Sequence, residues 1–419
     1  MQAVVLGVLV AGTVWGLFRP VRLRLAGRGY GGQALGFAGA WFFLILAPSS
    51  SIYPLPTELI AEHRMYLPLA AIVALLVIGL VALGGNRGLL ACLGLVVGLA
   101  WLTVRRNAEY GRPVEFWRDA VARIPRNPRA HDNLGVALAG DGRLAEATAQ
   151  YRLALSEAPA FYKAHDHLGE ILDRMGRTAD AIEQYREELA LKPDSITAHN
   201  NLANALRREG KLPEAIEHLH RALATERDNP EAYNNLGVAL LESGDAARAE
   251  VHFRRALALK PAFPEAEFNL GNAARDEGRL DEAIGHYQVA LRLNPRFAEA
   301  DNNLGAILLA TGQRASAVEF YEKALRLNPG YAEAHCNLGM ALRGLGRTSE
   351  AIAHYRKALR LRPNYPEAHN NLGNALAGEG RKEEAVSEYE EALRLRPDYA
   401  DARRNLALAR KAMGLPFQP

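Results

Sequence analysis

The sequence predicts an all-α protein built from two parts: four transmembrane helices, followed by a right-handed α-solenoid of helical hairpins. The first observation behind this prediction is a set of apolar stretches confined to residues 1–104. The second is a Leu-Gly or Leu-Ala pair that returns every 34 residues, nine times, without insertion. A fixed period of this length is typical of stacked hairpins, each of which buries its apolar face against its neighbours. The pairs begin at Leu134, Leu168, Leu202, Leu236, Leu270, Leu304, Leu338, Leu372 and Leu406.

The apolar part contains four stretches without any Lys, Arg, Asp or Glu, at residues 1–18, 33–47, 67–83 and 88–104. Each approaches the length that a helix needs to cross a hydrocarbon layer about 30 Å thick, and 33–47 is the shortest. A signal peptide is the alternative for 1–18, but the arginines follow this apolar run instead of preceding it. We therefore expect residues 1–104 to form four spans of a multi-pass membrane protein.

Arginines in the short loops indicate the orientation of these spans. The loop after the first span carries four arginines, and Arg87 lies between the last two spans. Placing these loops inside puts the repeats outside, which is the periplasm if the membrane is a bacterial inner membrane. Arg105 and Arg106 oppose this orientation and favour the alternative of a cytoplasmic assembly factor with reversed topology. An outward N-terminus without a signal also leads us to expect that the chain begins inside a larger membrane domain.

The loop between the second and third spans, residues 47–69, is the stretch richest in reactive side chains. Glu62, His63, Arg64 and Tyr66 lie close together at the predicted membrane surface. An arginine there can hold a phosphate, and a His or Glu can move protons, so these four are candidate contacts to a lipid phosphate. The alternative is interfacial anchoring, with Tyr and Arg at the headgroup level and a Glu–Arg pair bracing two helices.

Composition and motifs exclude several other classes of function. A formal net charge of +3 is small for 419 residues and gives no basic surface for nucleic acid. Cys92 and Cys336 are not expected to meet, so no disulfide framework is predicted. The sequence contains no Gly-rich phosphate loop, no His-Glu-x-x-His, no nucleophile elbow and no Cys-x-x-Cys. We therefore predict no complete catalytic constellation, no metal site and no cofactor in this chain.

The repeats are numbered so that the Leu-Gly pair falls at positions 7 and 8. Position 8 is Gly or Ala, position 20 is always Ala, and position 24 is aromatic in seven of eight repeats. Small residues at 8 and 20 let the two helices of a hairpin approach, and the aromatic residue is expected to fill the gap left against the neighbouring repeat. Gly at position 15 ends the first helix and Pro at position 32 ends the second, with Glu188 (position 27) and Arg227 (position 32) as departures. Full repeats start at 128, 162, 196, 230, 264, 298, 332 and 366.

This pattern resembles the tetratricopeptide repeat (TPR) family over residues 128–419. Trp117, Ala120 and Pro125 fall at positions 24, 27 and 32 of a partial first unit, so we predict a second helix at 114–124 that couples the array rigidly to the membrane. At the other end, residues 400–412 are predicted to form a capping helix with a polar outer face. The predicted domains are a transmembrane region 1–104, a linker and half-repeat 105–127, eight repeats 128–399, and a cap and tail 400–419.

The membrane part carries a second resemblance. The run Glu62–Pro68 follows Trp41-Phe42-Phe43 and the Ala47–Ser51 turn, and it precedes a membrane span and a repeat array. In this layout residues 35–130 resemble the bacterial relatives of the transmembrane-and-TPR O-mannosyltransferases, which are lipid-sugar-dependent (GT-C) glycosyltransferases. The resemblance implies that the chain is the C-terminal part of such an enzyme and that Glu62 and Arg64 contact a lipid-phosphate donor. The acidic catalytic loop of that class has no counterpart in this sequence.

By resemblance to TPR arrays, the first helices line a concave groove through position 6 among others. This position is Asn in every repeat except the second, where it is His167. A row of amides can grip the backbone of an extended peptide irrespective of its sequence, and the arrays of O-GlcNAc transferases carry a similar row. The alternative is that each Asn bonds within its own hairpin. The candidate peptide-binding residues are Asn133, Asn201, Asn235, Asn269, Asn303, Asn337, Asn371 and Asn405.

Histidines cluster at two other positions of the repeat. Equivalent residues of neighbouring repeats are about 10 Å apart, too far to share a metal ion at ligand distances of about 2 Å, so we interpret these histidines as structural. Position 4 holds His131, His165, His199, His335 and His369, and position 23 holds His218, His252 and His286. The function expected from the whole sequence is a membrane-anchored scaffold that binds proteins or extended peptides. The alternative is the C-terminal portion of a protein glycosyltransferase whose array presents the substrate.

Overall fold

The computed structural model describes residues 112–414 and the backbone of two short segments, 23–25 and 28–30. The four predicted membrane spans, the loop with Glu62, His63, Arg64 and Tyr66, and the Arg105–Arg106 pair lie outside the described residues. Among the helices of the described part, none combines the length and the apolar character that crossing a membrane requires. The chain divides into two compact units, residues 1–125 and 126–419.

The first unit contains an antiparallel β-hairpin and one described helix. Strands β1 (Leu23–Leu25) and β2 (Arg28–Tyr30) pair with Leu23 opposite Tyr30 and Leu25 opposite Arg28. The all-α prediction is confirmed for the array of repeats, and this short strand pair is an element that the prediction did not include. Helix α1 (Pro113–Arg123) occupies the place of the helix predicted at 114–124, with Pro113 in its first turn.

The second unit is a stack of eight hairpins and a final single helix, each packed on the next. First helices of neighbouring hairpins also touch one another, so the contacts of the array are local in sequence. The first helices are α2 (Pro128–Gly140), α4 (Tyr162–Arg174), α6 (Ile196–Arg208), α8 (Pro230–Glu242), α10 (Pro264–Asp276), α12 (Ala298–Ala310), α14 (Ala332–Gly344) and α16 (Pro366–Gly378). The second helices are α3 (Leu144–Glu157), α5 (Thr178–Leu191), α7 (Leu212–Thr225), α9 (Ala246–Leu259), α11 (Leu280–Leu293), α13 (Arg314–Leu327), α15 (Thr348–Leu361) and α17 (Lys382–Leu395), and the array ends with α18 (Ala400–Ala412).

The turn between the two helices of a hairpin depends on the glycine at position 15. Gly142 has φ of +76°, and the bonds Gly142 N–H to Ala139 O (3.1 Å) and Arg143 N–H to Leu138 O (2.9 Å) satisfy two carbonyls at the helix end. This is the hydrogen-bond pattern of a Schellman cap. The equivalent glycine of each hairpin has a positive φ, which confirms the predicted ends of the first helices.

The core of each hairpin forms where positions 8, 20, 24 and 27 meet. The alanines at position 20 are fully buried, and the aromatic side chains at position 24 are at most 2% exposed. The aromatic ring lies directly over the glycine at position 8 of its own hairpin. The ring also contacts the neighbouring repeat, as predicted: the ring centres of Tyr151 and His167 are 5.6 Å apart.

Candidate functional site

The asparagines at position 6 form a ladder of hydrogen bonds that links one repeat to the next. In six of the eight asparagines, Nδ2 donates to the side chain at position 5 of the preceding repeat. The distances are 2.9 Å from Asn269 to Asn234, 3.0 Å from Asn337 to Asn302 and 2.9 Å from Asn405 to Asn370. The same bond joins Asn201 to Asp166 (3.3 Å) and Asn235 to Asn200 (3.4 Å).

The ladder adapts wherever the residue at position 5 changes. The repeat that starts at 264 has Phe268 there, and Asn303 instead donates to Oδ1 of Asn272, 2.9 Å away. Asn371 meets Sγ of Cys336 at 3.7 Å. In the second repeat, His167 replaces Asn and its Nδ1 lies 2.8 Å from Oδ1 of Asp132. The partners therefore lie in the preceding repeat. The alternative, in which each Asn bonds within its own hairpin, does not describe these bonds.

The position-5 partners were not identified from the sequence. The available signal was that a polar Asp or Asn stands directly before the position-6 residue in six repeats, as in the Asn-Asn-Leu triplets. Asn302 is 1% exposed and Asn370 is 5% exposed, whereas the position-6 asparagines are half-buried. From Asn201 onward, one amide hydrogen of each Asn is thus bound internally, while its second hydrogen and its acceptor oxygen remain for a ligand in most repeats. The result is a row of amides held in fixed orientation along the first helices.

The N-terminal end of this row carries more charge than the rest. Burial alone would lower the pKa of His167, but the hydrogen bond and the negative charge of Asp132 raise it overall. Burial raises the pKa of Asp166, which accepts the bond from Asn201. Further along, Glu231 at position 2 forms an ion pair with Lys260 at 2.7 Å. This pair offsets the negative charge of Glu231.

The histidines at positions 4 and 23 face each other across single hairpins. Nδ1 of His199 lies 2.9 Å from Nδ1 of His218, and the pair His335–His354 repeats this geometry at 3.0 Å. In other hairpins the partner is Gln or Glu, as in His131–Gln150 (2.8 Å). No three potential metal ligands converge anywhere within residues 112–414 or the two strands.

A second bond fixes the protonation pattern of these pairs. Nε2 of His199 lies 3.0 Å from the carbonyl oxygen of Pro193, so it must carry a hydrogen and donate. Nδ1 of the neutral ring is then an acceptor, and His218 must donate to it from its own Nδ1. Burial lowers the pKa of both His199 and His218, and the hydrogen bond to Pro193 opposes this only partly for His199. The position-4 histidine therefore locks the turn that joins two repeats.

The paired histidines predict a loss of stability in mild acid. Their folded pKa values lie below the unfolded value of 6.5, so their contribution is fully present above pH 6.5 and is lost as the pH falls through the folded values. In the variant His218→Gln/His354→Gln, which copies the natural His131–Gln150 pair, we expect the fall in Tm between pH 7.5 and pH 5 to be smaller by about 2–4 °C. Thermal unfolding followed by circular dichroism measures this. The control is His220→Gln, an exposed change on the helix of His218, whose fall in Tm should equal that of the wild type. The prediction is contradicted if Tm falls as far in the double variant as in the wild type.

Sequence profiles described as tetratricopeptide repeats match this chain at residues 115–160, 164–195, 194–262, 235–296, 268–332, 320–353, 339–380 and 373–414. All of these matches begin after residue 104, so they give no support to the resemblance of residues 35–130 to O-mannosyltransferase-like proteins. No curated protein sequence matched the chain.

Solved structures similar to this chain include a chain of the APC/C hetero-tetramer Cut9–Hcn1. Its TM-score is 0.54 at 17% identity, over 73% of this chain and 58% of that one. A tetratricopeptide repeat protein from Parabacteroides merdae has a TM-score of 0.51 at 19% identity, over 59% of this chain and 98% of that one. YrrB, described as a TPR protein with an unusual peptide-binding site, has a TM-score of 0.38 at 24% identity, over 45% and 97%. The first two likenesses show the fold. The profile matches show that this chain belongs, over residues 115–414, to the tetratricopeptide-repeat family.

Proposed function

We propose that the array is a scaffold that holds an extended segment of a partner protein along the row of position-6 asparagines. The observation that carries this proposal is the ladder, because it holds each half-buried amide in one orientation before any ligand arrives. Preorganised polar groups lose less conformational entropy on binding than free ones. Peptide backbone is the matching ligand, since it offers a donor and an acceptor at every residue.

The spacing of the row fits an extended chain. First helices of neighbouring repeats are about 10 Å apart, and an extended peptide rises roughly 3.3 Å per residue. One asparagine therefore meets every third residue of the ligand, and the eight repeats accommodate about 20 to 25 residues. Because the amides contact backbone, the side chains of the ligand affect affinity mainly where the groove is charged, near Asp132, Asp166 and His167.

The groove is tested with two matched triple variants. Asn269→Ala/Asn337→Ala/Asn405→Ala removes three position-6 amides, whereas Asn234→Ala/Asn302→Ala/Asn370→Ala removes the acceptors of the same three ladder bonds. Both variants lose the same bracing, but the first alone loses the amides offered to a ligand. We expect peptide binding to fall by about tenfold or more in the first, at about 0.5–1.5 kcal/mol per hydrogen bond, and by less than about threefold in the second.

The measurement is fluorescence anisotropy with peptides selected on an array of overlapping 15-residue peptides from the source organism. Circular dichroism confirms that both variants stay folded. Equal losses in the two variants would mean that the asparagines act through bracing alone, and the proposal would be wrong.

We further propose that residues 1–104 anchor this scaffold in a membrane, with the array on the extracytoplasmic side. The support is the four uncharged apolar stretches and the arginines of the loops between them. A reporter enzyme that is active on one side of the membrane, fused after residue 419, identifies that side. Activity confined to the cytoplasm would favour the reversed topology.

A second candidate function rests on the run Glu62–Pro68. If the chain is the C-terminal portion of a lipid-sugar-dependent protein glycosyltransferase, the array presents the protein substrate and Arg64 contacts the phosphate of the lipid donor. Membranes containing Arg64→Ala should then transfer less sugar from a radiolabelled lipid-linked donor to protein than wild-type membranes do. Unchanged transfer would remove the phosphate role of Arg64.

A further inference from the structure

A pocket of about 560 Å³ lies between the second helices of two neighbouring hairpins, α11 and α13. Its apolar walls include Leu291, Leu304 and Phe320. Asp301, at position 4 of its repeat, also lines the pocket and is 4% exposed. Pockets of this size with apolar walls and a few convergent polar groups are typical of ligand sites.

The pocket exists because one hairpin departs from the pattern of the others. At positions 4 and 23 it has Asp301 and Phe320, whereas the next hairpin fills the same place with the bonded rings of His335 and His354. Asp301 is shorter than histidine, and a carboxylate cannot donate to the carbonyl of Pro295 as His335 donates to the carbonyl of Pro329. A buried ring and its two hydrogen bonds are therefore replaced by open space with a carboxyl group in its wall.

Several polar groups around the pocket make no hydrogen bond or ion pair within the described part of the chain. Within residues 112–414, the buried side chain of Asp301 makes no hydrogen bond and no ion pair, although most buried polar groups are satisfied. Burial raises the pKa of Asp301 to about 6, and Lys323 and Arg326 partly oppose this. Arg292, Lys323 and Arg326 are exposed at the mouth and form no ion pair within the described part of the chain. Nζ of Lys323 lies 4.3 Å from the centre of the Phe320 ring.

We infer that this pocket binds an acidic segment of a partner protein by taking up one Trp or Tyr side chain. The ring packs against Leu291, Leu304 and Phe320, and its N–H or O–H donates to Asp301, which supplies the partner that a buried Trp or Tyr requires. The acidic residues on either side of the aromatic residue meet the three cations at the mouth. Buried aromatic anchors with a polar rim are the usual arrangement of interface hot spots.

This pocket is distinct from the groove. Its lining comes mainly from the second helices, while the asparagine row lies along the first helices. The inference does not depend on the proposed function of the row. The triple variant Asn269→Ala/Asn337→Ala/Asn405→Ala is expected to leave binding in the pocket unchanged, so the failure of one proposal is distinguishable from the failure of the other.

The test uses the purified full-length chain in mild detergent and the fluorescein-labelled peptide Glu-Asp-Glu-Trp-Glu-Asp-Glu, with Phe and Ala versions of its central residue. Fluorescence anisotropy should show saturable binding of the Trp peptide, binding about tenfold weaker for Phe, which lacks the donor, and no saturation for Ala. Asp301→His introduces the residue that the following hairpin has at this position, His335, and fills the pocket. It should weaken binding of the Trp peptide by at least about tenfold without lowering Tm.

Charge at the mouth is tested with a matched pair of variants. Lys323→Glu/Arg326→Glu should weaken binding by about tenfold or more, whereas Lys357→Glu/Arg360→Glu, the same positions of the next hairpin, should change it less than about twofold. Equal affinity for the Trp and Ala peptides, unchanged binding by Asp301→His, or equal effects of the two charge reversals would each overturn the inference. Binding of anionic phosphatidylglycerol vesicles at this pocket, without binding of the peptide, would identify a lipid and would overturn it as well.

Discussion

Replacing Gly271 by Ala is expected to lower the free energy of unfolding of the array by about 2–3 kcal/mol, although Ala is normally the better helix residue. A Cβ atom on Gly271 would lie 2.5 Å from Cε1 and 2.7 Å from Cδ1 of Tyr287. The Tyr287 ring is fully buried, and its hydroxyl donates to Oδ1 of Asn272 at 2.7 Å. The ring cannot move aside without losing this bond, so the two helices must separate.

The same clash predicts a rescue. The repeat that starts at 196 has Ala203 at position 8 and Leu219 at position 24, which shows that Ala is accommodated when the aromatic ring is absent. Tyr287→Leu alone should destabilise, but Gly271→Ala should cost little in a chain that already carries Tyr287→Leu. Urea unfolding followed by circular dichroism on the four chains of this cycle gives the coupling energy, which we expect to be about 1–3 kcal/mol.

Gly285 provides the control within the same hairpin. It lies in the middle of α11, and a Cβ atom added to it meets nothing within 4 Å. Gly285→Ala should therefore stabilise by about 0.5–1 kcal/mol through helix propensity alone. A Gly271→Ala variant that behaves like Gly285→Ala, or a cycle without coupling, would show that the ring over Gly271 does not limit the approach of the helices.

Much of the repeat fold follows from sequence because its rules are local. The 34-residue period, the turn glycines and the buried alanines each concern residues within one hairpin, and the structure confirms their roles. The contact between positions 8 and 24 of one hairpin is not predictable in this way, since spacing alone does not say which surface of a helix a ring covers. The joint change to Ala203 and Leu219 in one repeat was the signal that the two positions meet.

The hydrogen bonds between repeats and the pocket at Asp301 were less predictable from the sequence. The row at position 6 could be identified because Asn occupies it in seven of the eight repeats and in the final helix, but most of its hydrogen-bond partners are at position 5 of the preceding repeat. Such contacts depend on how two hairpins are rotated against each other, which the period does not specify. The pocket at Asp301 arises where a side chain is shorter than its equivalents. Its neighbours could have collapsed into that space, and the sequence does not show that they remain apart.

Glu188 is a second site, besides Gly285, where a substitution is expected to increase stability. It occupies position 27, which is a fully buried Ala in the other seven hairpins, and its side chain is 2% exposed. Oε1 accepts a hydrogen bond from Ser195 Oγ at 2.7 Å, while Oε2 has no partner within the described part of the chain. Burial raises the pKa of Glu188 to about 7, and the Ser195 bond opposes this only partly. An ionised carboxylate is thus held in a site built for a methyl group.

The sign of the pH dependence follows from this raised pKa. Between pH 4.5, the unfolded value, and about 7, the folded state binds a proton that the unfolded state releases, so stability is highest below pH 4.5 and falls as the pH rises through 7. The interval corresponds to about 3 kcal/mol at most. We expect Glu188→Ala to raise the free energy of unfolding by about 1–3 kcal/mol at pH 8 and by much less at pH 5, where the wild-type carboxyl is protonated. Lost packing of the longer side chain offsets part of the gain.

Urea unfolding at several pH values gives the free energy of unfolding of the wild type and of the variant. Subtracting one pH curve from the other cancels the contribution of the paired histidines, which has the opposite sign and is present in both chains. Glu188→Gln keeps the length of the side chain and an acceptor for Ser195 without the charge, so it should remove the same pH dependence. Glu187→Ala, an exposed change on the same helix, should leave the pH dependence as it is in the wild type. If the difference in the free energy of unfolding between Glu188→Ala and the wild type were the same at pH 5 and pH 8, Glu188 would not be the group that titrates. If Glu188→Gln retained the slope while Glu188→Ala lost it, packing and not charge would explain the effect.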